Sequence, residues 1–352
     1  MARQHTAVAD AEVRRVHQAA VVVDAALSGN FARPGLTANG KSYLDRAREG
    51  GLTAAVQTLA ASNTNFRNAL SRINESFLLL EAEPEKTLLV RTSADIERAR
   101  RERKVGIVFG FQDGTPLEDD WINLLPTFWR IGVRVIQLTY NEHNRIGSGC
   151  LEPNDFGLTA YGRQVVGAMN RFGIMVDLSH TGEKTCLDAI EYSRDPCIVS
   201  HANVKKLNPS PRNKTDEVIK ALAAKGGLIG VVAWSVIAAT RPGVPPTIDD
   251  FCAHIDYLVD LVGVDHVCIG SDINENFRVM PIPSPFEQQY SFMLTQFKER
   301  APAVEGFSEV AQYPNVTRAL LARGYGEQDV HKILGGNFMR LARATWDKRP
   351  PH

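Results

Sequence analysis

Eight short apolar runs divide the chain, at residues 21–24, 52–59, 105–111, 133–140, 174–180, 197–201, 228–234 and 266–271. Their starts lie 23 to 53 residues apart, and most gaps carry a segment whose apolar residues recur at helical spacing, as at 93–102, 162–171, 217–225 and 251–262. A strand that is apolar along its whole length is buried on both faces, which is the condition of a parallel sheet. Parallel neighbours need long return connections, usually helices. Eight such units in 352 residues predict a (β/α)8 TIM barrel occupying residues 1–352 as a single domain. A doubly wound open sheet is the runner-up. The polar residues at the strand ends favour the barrel: Asp24, Gln57, Gln112, Tyr140, His180, His201, Trp234 or Ser235, and Asp272. A closed barrel gathers all of them at one mouth, whereas an open sheet keeps its edge members apart.

Punctuation agrees with this reading. Gly50-Gly51, Gly132, Gly173, Gly226-Gly227 and Gly263 each follow a helical segment and precede a strand, as helix C-caps do. Residues 141–158 form a stretch too long for an ordinary connector and are expected to lie over the mouth, as is 274–288 with its PIPSP run. Formal charge is zero with no basic or acidic block, which argues against nucleic acid or an anionic membrane surface and leaves a small-molecule substrate. The five cysteines follow no CxxC or metal-ligand spacing and read as reduced, mostly buried side chains. Neither a signal-like h-region, nor an apolar stretch of 18 residues, nor a hydrophobic tail is seen, so the cytoplasm is expected.

The chemistry concentrates in residues 173–217. Two apolar runs there, 174–178 and 197–199, each close on Ser-His, with an amphipathic segment between them. Read as a βαβ unit, this places His180 and His201 at the carboxyl ends of neighbouring strands, where two imidazoles can share one metal ion.

Longer motifs extend the reading. GRQVVGAMNRFGIMVDLSH, SHANVKKLNPSPRNKTDE, VDHVCIGSD and ALLARGYGEQDVHKILGGNFMRL, in that order, with GGLTAAV and LTYN before them, resemble the renal (membrane) dipeptidase family of the amidohydrolase superfamily. The similarity runs from about Val21 to Ala342. The resemblance implies a (β/α)8 barrel with two zinc ions that hydrolyses dipeptides and related small amides through a bridging water. It also implies that His180 and His201 are metal ligands, that Asp272 is the aspartate after the last strand, and that Arg212 of the PRN motif contacts a substrate carboxylate.

Three departures change that expectation. Ala26 and Ser28 stand where the family has a His-x-Asp ligand pair, Gln112 replaces the glutamate that bridges the two metals, and Tyr140 replaces a substrate-facing histidine. Alanine has no lone pair, serine is a poor zinc ligand and glutamine carries no charge, so two zinc ions are not expected. The expected cofactor is at most one divalent ion, zinc by the resemblance, on His180 and His201 with Gln112, Asp113 or a water completing the shell and Asp272 nearby. Asp272 and Tyr140 are then the catalytic candidates, and Arg212, Tyr140 and Asn141 the substrate contacts. Two alternatives stay open: a metal-independent lyase or isomerase that reuses the pocket, and a non-catalytic barrel. A homodimer is possible by analogy with related barrels.

Overall fold

The computed structural model describes residues 6–28, 31, 40–62, 64–273, 275 and 304–348. Among the described residues there are nine strands: β1 (Val23–Leu27), β2 (Ala54–Ala60), β3 (Thr87–Leu89), β4 (Val105–Phe111), β5 (Val133–Gln137), β6 (Met175–Asp177), β7 (Ile198–Val199), β8 (Leu228–Val231) and β9 (Val267–Ile269). Eight of them close in the order β2-β1-β9-β8-β7-β6-β5-β4, with β4 returning to β2. All pairings are parallel. β3 is the element that the apolar runs do not announce. It is three residues long and pairs alongside the start of β4, outside the closed ring.

Pleat alternation assigns the two faces. Val23 and Ala25, Ala54 and Val56, Val108, Val135, Met175, Ile198, Leu228 and Cys268 come from all eight ring strands yet form one contiguous cluster, so they fill the barrel interior. Their neighbours in sequence, among them Ala55, Ile107, Phe109, Ile136, Val176, Val199, Ile229 and Val267, pack outward against the helices. The helix Asn337–Thr345 brings Phe338, Leu341 and Ala342, together with Trp346, onto the interior cluster. Asn337 donates to the carbonyls of Val264 and Val267, just before and at the start of β9. This helix seals the amino end of the barrel and leaves the carboxyl end for chemistry.

The helices begin where the sequence supplies caps. Thr159, Thr215 and Thr247 accept hydrogen bonds from the first turns of Ala160–Phe172, Asp216–Ala224 and Ile248–Val262. The segment 141–158 carries no helix or strand; it docks through a bridge between Gly149 and Thr181 and a 2.7 Å hydrogen bond from Cys150 N to His180 O. The second expected mouth loop, 274–288, lies outside the described residues except for Glu275, which is buried and paired with Arg46. No helix of the described residues is long and apolar enough to cross a membrane.

Two expected strand-end residues stand elsewhere. Asp24 lies inside β1, because the apolar run continues through Leu27 and the carboxylate is satisfied in place by Ala26 N, Ser271 N, Ser271 Oγ and Tyr313 Oη. Gln57 sits in the middle of β2 and donates to Ser76 Oγ at 3.2 Å.

Candidate active site

The loops that follow β6 and β7 bring the two histidines together. His180 Nε2 and His201 Nε2 are 3.0 Å apart, and both residues are buried. Asn141 Oδ1 lies 2.6 Å from His180 Nδ1, and Ser200 Oγ lies 2.7 Å from His201 Nδ1. Tyr140, half-buried, stacks on the His180 ring with centroids 4.0 Å apart and an interplanar angle of 18°. Backbone geometry makes room for the pair. A Cβ at Gly230 would sit 2.0 Å from Ser200 O, and one at Gly270 would sit 1.7 Å from it, so the chain entering His201 needs glycine at both positions.

Both imidazoles titrate well below the ordinary histidine value. Burial is the main cause, and the cations of Arg212 and Lys214 add to it for each ring. Each ring is therefore neutral and offers a lone pair. His254, another buried histidine, differs: its Nδ1 accepts from Val204 N and its Nε2 meets Ala238 O, so both nitrogens are satisfied by the protein backbone. In His180 and His201 one nitrogen of each ring is left facing the other ring.

The opposite rim is built from β4, β9 and the end of β1. Asp272 adopts φ 53°, a left-handed conformation that few side chains tolerate and that aspartate and asparagine tolerate best. Its N–H donates to Ala26 O at 2.8 Å, and Ser28 Oγ donates to its carboxylate. Burial pushes the Asp272 carboxyl above the usual carboxylate range, opposed by the Ser28 hydrogen bond, the Arg212 charge and a hydrogen bond from Gln112. Gln112 also donates from Nε2 to Thr58 Oγ1 at 2.9 Å. Ser28 and Gln112 are thus joined through Asp272, while Ala26 contributes only backbone.

Two expected substrate contacts are engaged elsewhere. Arg212 is 1% exposed and runs beneath the histidines, where its terminal nitrogens donate to Ser179 O and, at 2.8 Å, to His201 O. Its Nε is buried without a hydrogen-bond partner among the described residues. Asn141 is wholly buried and orients His180. Sequence reasoning did not single out Asp177 or Ser200 for a role at the site. The available signal was the serine that precedes each histidine and the aspartate three residues before His180 in DLSH.

Among the described residues no group of three His, Cys, Asp or Glu side chains converges to hold a metal ion. His180 and His201 offer two facing ring nitrogens, and Ala26, Ser28 and Gln112 on the other rim carry no charge to set beside them.

Relatives agree with this architecture. The membrane dipeptidase family (peptidase family M19) matches residues 5–281 and 295–349. The chain is 29% identical over 290 residues to Dipeptidase tcpJ of Claviceps purpurea, covering 82% of this chain and 62% of that one. It is 28% identical over 326 residues to Dipeptidase 3 of Rattus norvegicus, covering 89% of this chain and 59% of that one. The chain thus spans about three-fifths of the length of these two relatives. Among solved structures, an amidohydrolase from Pseudomonas aeruginosa superposes with TM-score 0.84 at 33% identity over 96% of this chain and 99% of that one. A metallo peptidase from Rhodobacter sphaeroides, liganded with a phosphinate mimic of L-Ala-D-Ala, has the same fold, with TM-score 0.75 at 21% identity over 93% of this chain and 99% of that one. A match over nearly the whole chain, on a closed barrel with paired strand-end histidines, places this protein in the membrane dipeptidase family, peptidase family M19.

Proposed function

We propose that this barrel hydrolyses a dipeptide or a related small amide at a reduced centre holding one divalent ion, zinc by family habit. The observation that carries the reading is the pair of buried, neutral imidazoles whose Nε2 atoms face each other across 3.0 Å. Zinc–nitrogen bonds of about 2.0–2.1 Å in tetrahedral geometry place two ligand nitrogens about 3.3 Å apart. The observed gap is within a few tenths of an ångström of that value. His180 and His201 would hold the ion, with Gln112 or water beside them. When bound, such an ion acidifies its water toward neutrality.

The chain's own residues would do the rest. Asp272, its carboxyl raised by burial, would take a proton from the attacking water and return it to the leaving amine. The Tyr140 phenol, on the ring stacked over His180, would donate a hydrogen bond to the developing oxyanion. Ser28 and Gln112 hold Asp272 by hydrogen bonds to its carboxylate. The single buried Nε of Arg212 gives little purchase on a substrate carboxylate, so the substrate is expected to reach Arg212 only if its guanidinium gives up a backbone carbonyl.

Elemental analysis of protein purified without chelator, combined with hydrolysis of a panel of dipeptides, tests this. About one equivalent of metal per chain, with hydrolysis lost on chelation and restored by zinc, is the expected result. Two equivalents overturn the reduced site. No metal, with turnover that survives chelator, overturns the hydrolytic reading in favour of a lyase or isomerase using the same acid and base groups.

A further inference from the structure

Asp177, the last residue of β6, is almost fully buried, and its carboxylate accepts four hydrogen bonds. Two come from the backbone N–H groups of Ser179 (3.0 Å) and Ser200 (2.9 Å), and two from the hydroxyls of Ser179 and Ser200 (2.6 Å each). The protons can be counted. If Ser200 turned its hydroxyl proton toward His201 Nδ1, its oxygen would face Asp177 Oδ2 lone pair to lone pair at 2.6 Å. Ser200 therefore donates to Asp177 and accepts from His201, whose Nδ1 carries the ring proton. On the other side of the gap, Asn141 Oδ1 is an acceptor at 2.6 Å, so His180 also carries its proton on Nδ1. Both Nε2 atoms are then bare, and no N–H remains to bridge them.

We propose that Asp177 and Ser200 are positioning residues that lock His201 in the Nδ1–H tautomer and so present a bare Nε2 lone pair to a divalent cation. Charge at Asp177 is essential to the relay. An amide there can donate to Ser200, which frees the hydroxyl proton for His201 and moves the ring proton to Nε2. The barrel supplies its own control in Asp24 on β1. Asp24 accepts from Ala26 N two residues on, as Asp177 does from Ser179, and from the N–H and hydroxyl of a neighbouring-strand serine, Ser271, as Asp177 does from Ser200. Ser271 precedes Asp272 and not a histidine, so the Asp24 link ties two strands together without steering a ring proton.

The inference rests on the reading that the histidine pair holds an ion, but the tautomer can be read without one. Long-range proton–nitrogen spectra of chelated protein carrying nitrogen-15 histidine are expected to report His201 as Nδ1–H. Ser200→Ala and Asp177→Asn are expected to shift the ring toward Nε2–H and to weaken zinc binding, measured by competition with a chromophoric chelator, about 10- to 100-fold. Ser200→Thr is expected to restore both, and Asp24→Asn to leave the His201 ring signals in place. A wild-type His201 protonated on Nε2, ring signals unmoved by Ser200→Ala, or equal movement in Asp24→Asn each overturn the proposal. Wild-type protein with the expected tautomer that takes up no added zinc chloride overturns the metal-centre reading and leaves the tautomer relay standing.

Discussion

The two rims of the mouth share a framework and differ in what hangs on it. At β6 and β7 a buried aspartate ties the neighbouring strand's serine, and the residues that follow are two histidines 3.0 Å apart. At β1 and β9 the same kind of tie runs from Asp24 to Ser271, yet the residues nearby include the uncharged Ala26 and Ser28, and the Asp272 carboxylate is bound by Ser28 and Gln112. The same backbone construction therefore carries different side chains at the two rims. The aspartate ties join neighbouring strands at both rims, while the side-chain ends that face the mouth differ between them.

The largest expected effect comes from breaking the histidine rim. His201→Ala is expected to remove bound metal and amide hydrolysis together; metal content unchanged from wild type would show that the ion sits elsewhere. Next comes Asp272→Asn, in which asparagine preserves the left-handed backbone but not the base. Activity is expected to fall about 10²- to 10⁴-fold with thermal stability little changed. Wild-type activity should also decline as the pH falls through a value above the ordinary carboxylate range, because burial raises Asp272 and only its ionised form accepts a proton. Activity flat across that range would remove Asp272 from the role of base.

Stability sharpens the contrast further. Burial pushes the Asp24 carboxyl up to about 6, above its value of about 3.9 in an unfolded chain. The folded protein therefore holds more protons than the unfolded one between these values. The stability linked to this group is full below about pH 4 and is lost as the pH rises through about 6, by roughly 3 kcal/mol. Urea unfolding of wild type and Asp24→Asn between pH 4 and pH 7 is expected to diverge by that amount, and parallel curves would mean that Asp24 is ionised throughout. The smallest expected change adds a charge to the altered rim. Gln112→Glu should tighten zinc binding about tenfold, or about 1.4 kcal/mol. Unaltered affinity in a chelator competition would place Gln112 out of reach of the ion.

Much of the fold was legible because burial on both faces leaves a mark on every residue of a strand. The runs at 105–111 and 133–140 become β4 and β5, and the helical segment 93–102 is the helix Ser93–Glu102. β3 was not legible, since Thr87–Leu89 is too short to show a period and only its first residue is buried. At the site, the paired Ser-His endings exposed His180 and His201. The role of Asn141 was hidden because its partner, His180, lies 39 residues away and nothing in NEHN signals an orienting hydrogen bond. Arg212 was hidden in the same way. A Pro-flanked arginine looks exposed in sequence, and only the fold shows it lying under the histidine loop on two carbonyls.

Gly230 and Gly270 leave a notch filled by the carbonyl of Ser200. A methyl group at either position would push on the main chain one residue before His201, so a change that looks like neutral drift in one barrel strand or just beyond another would displace one of the paired histidines. Surveys of variation in this protein should therefore score those two glycines with the histidines and not with the scaffold.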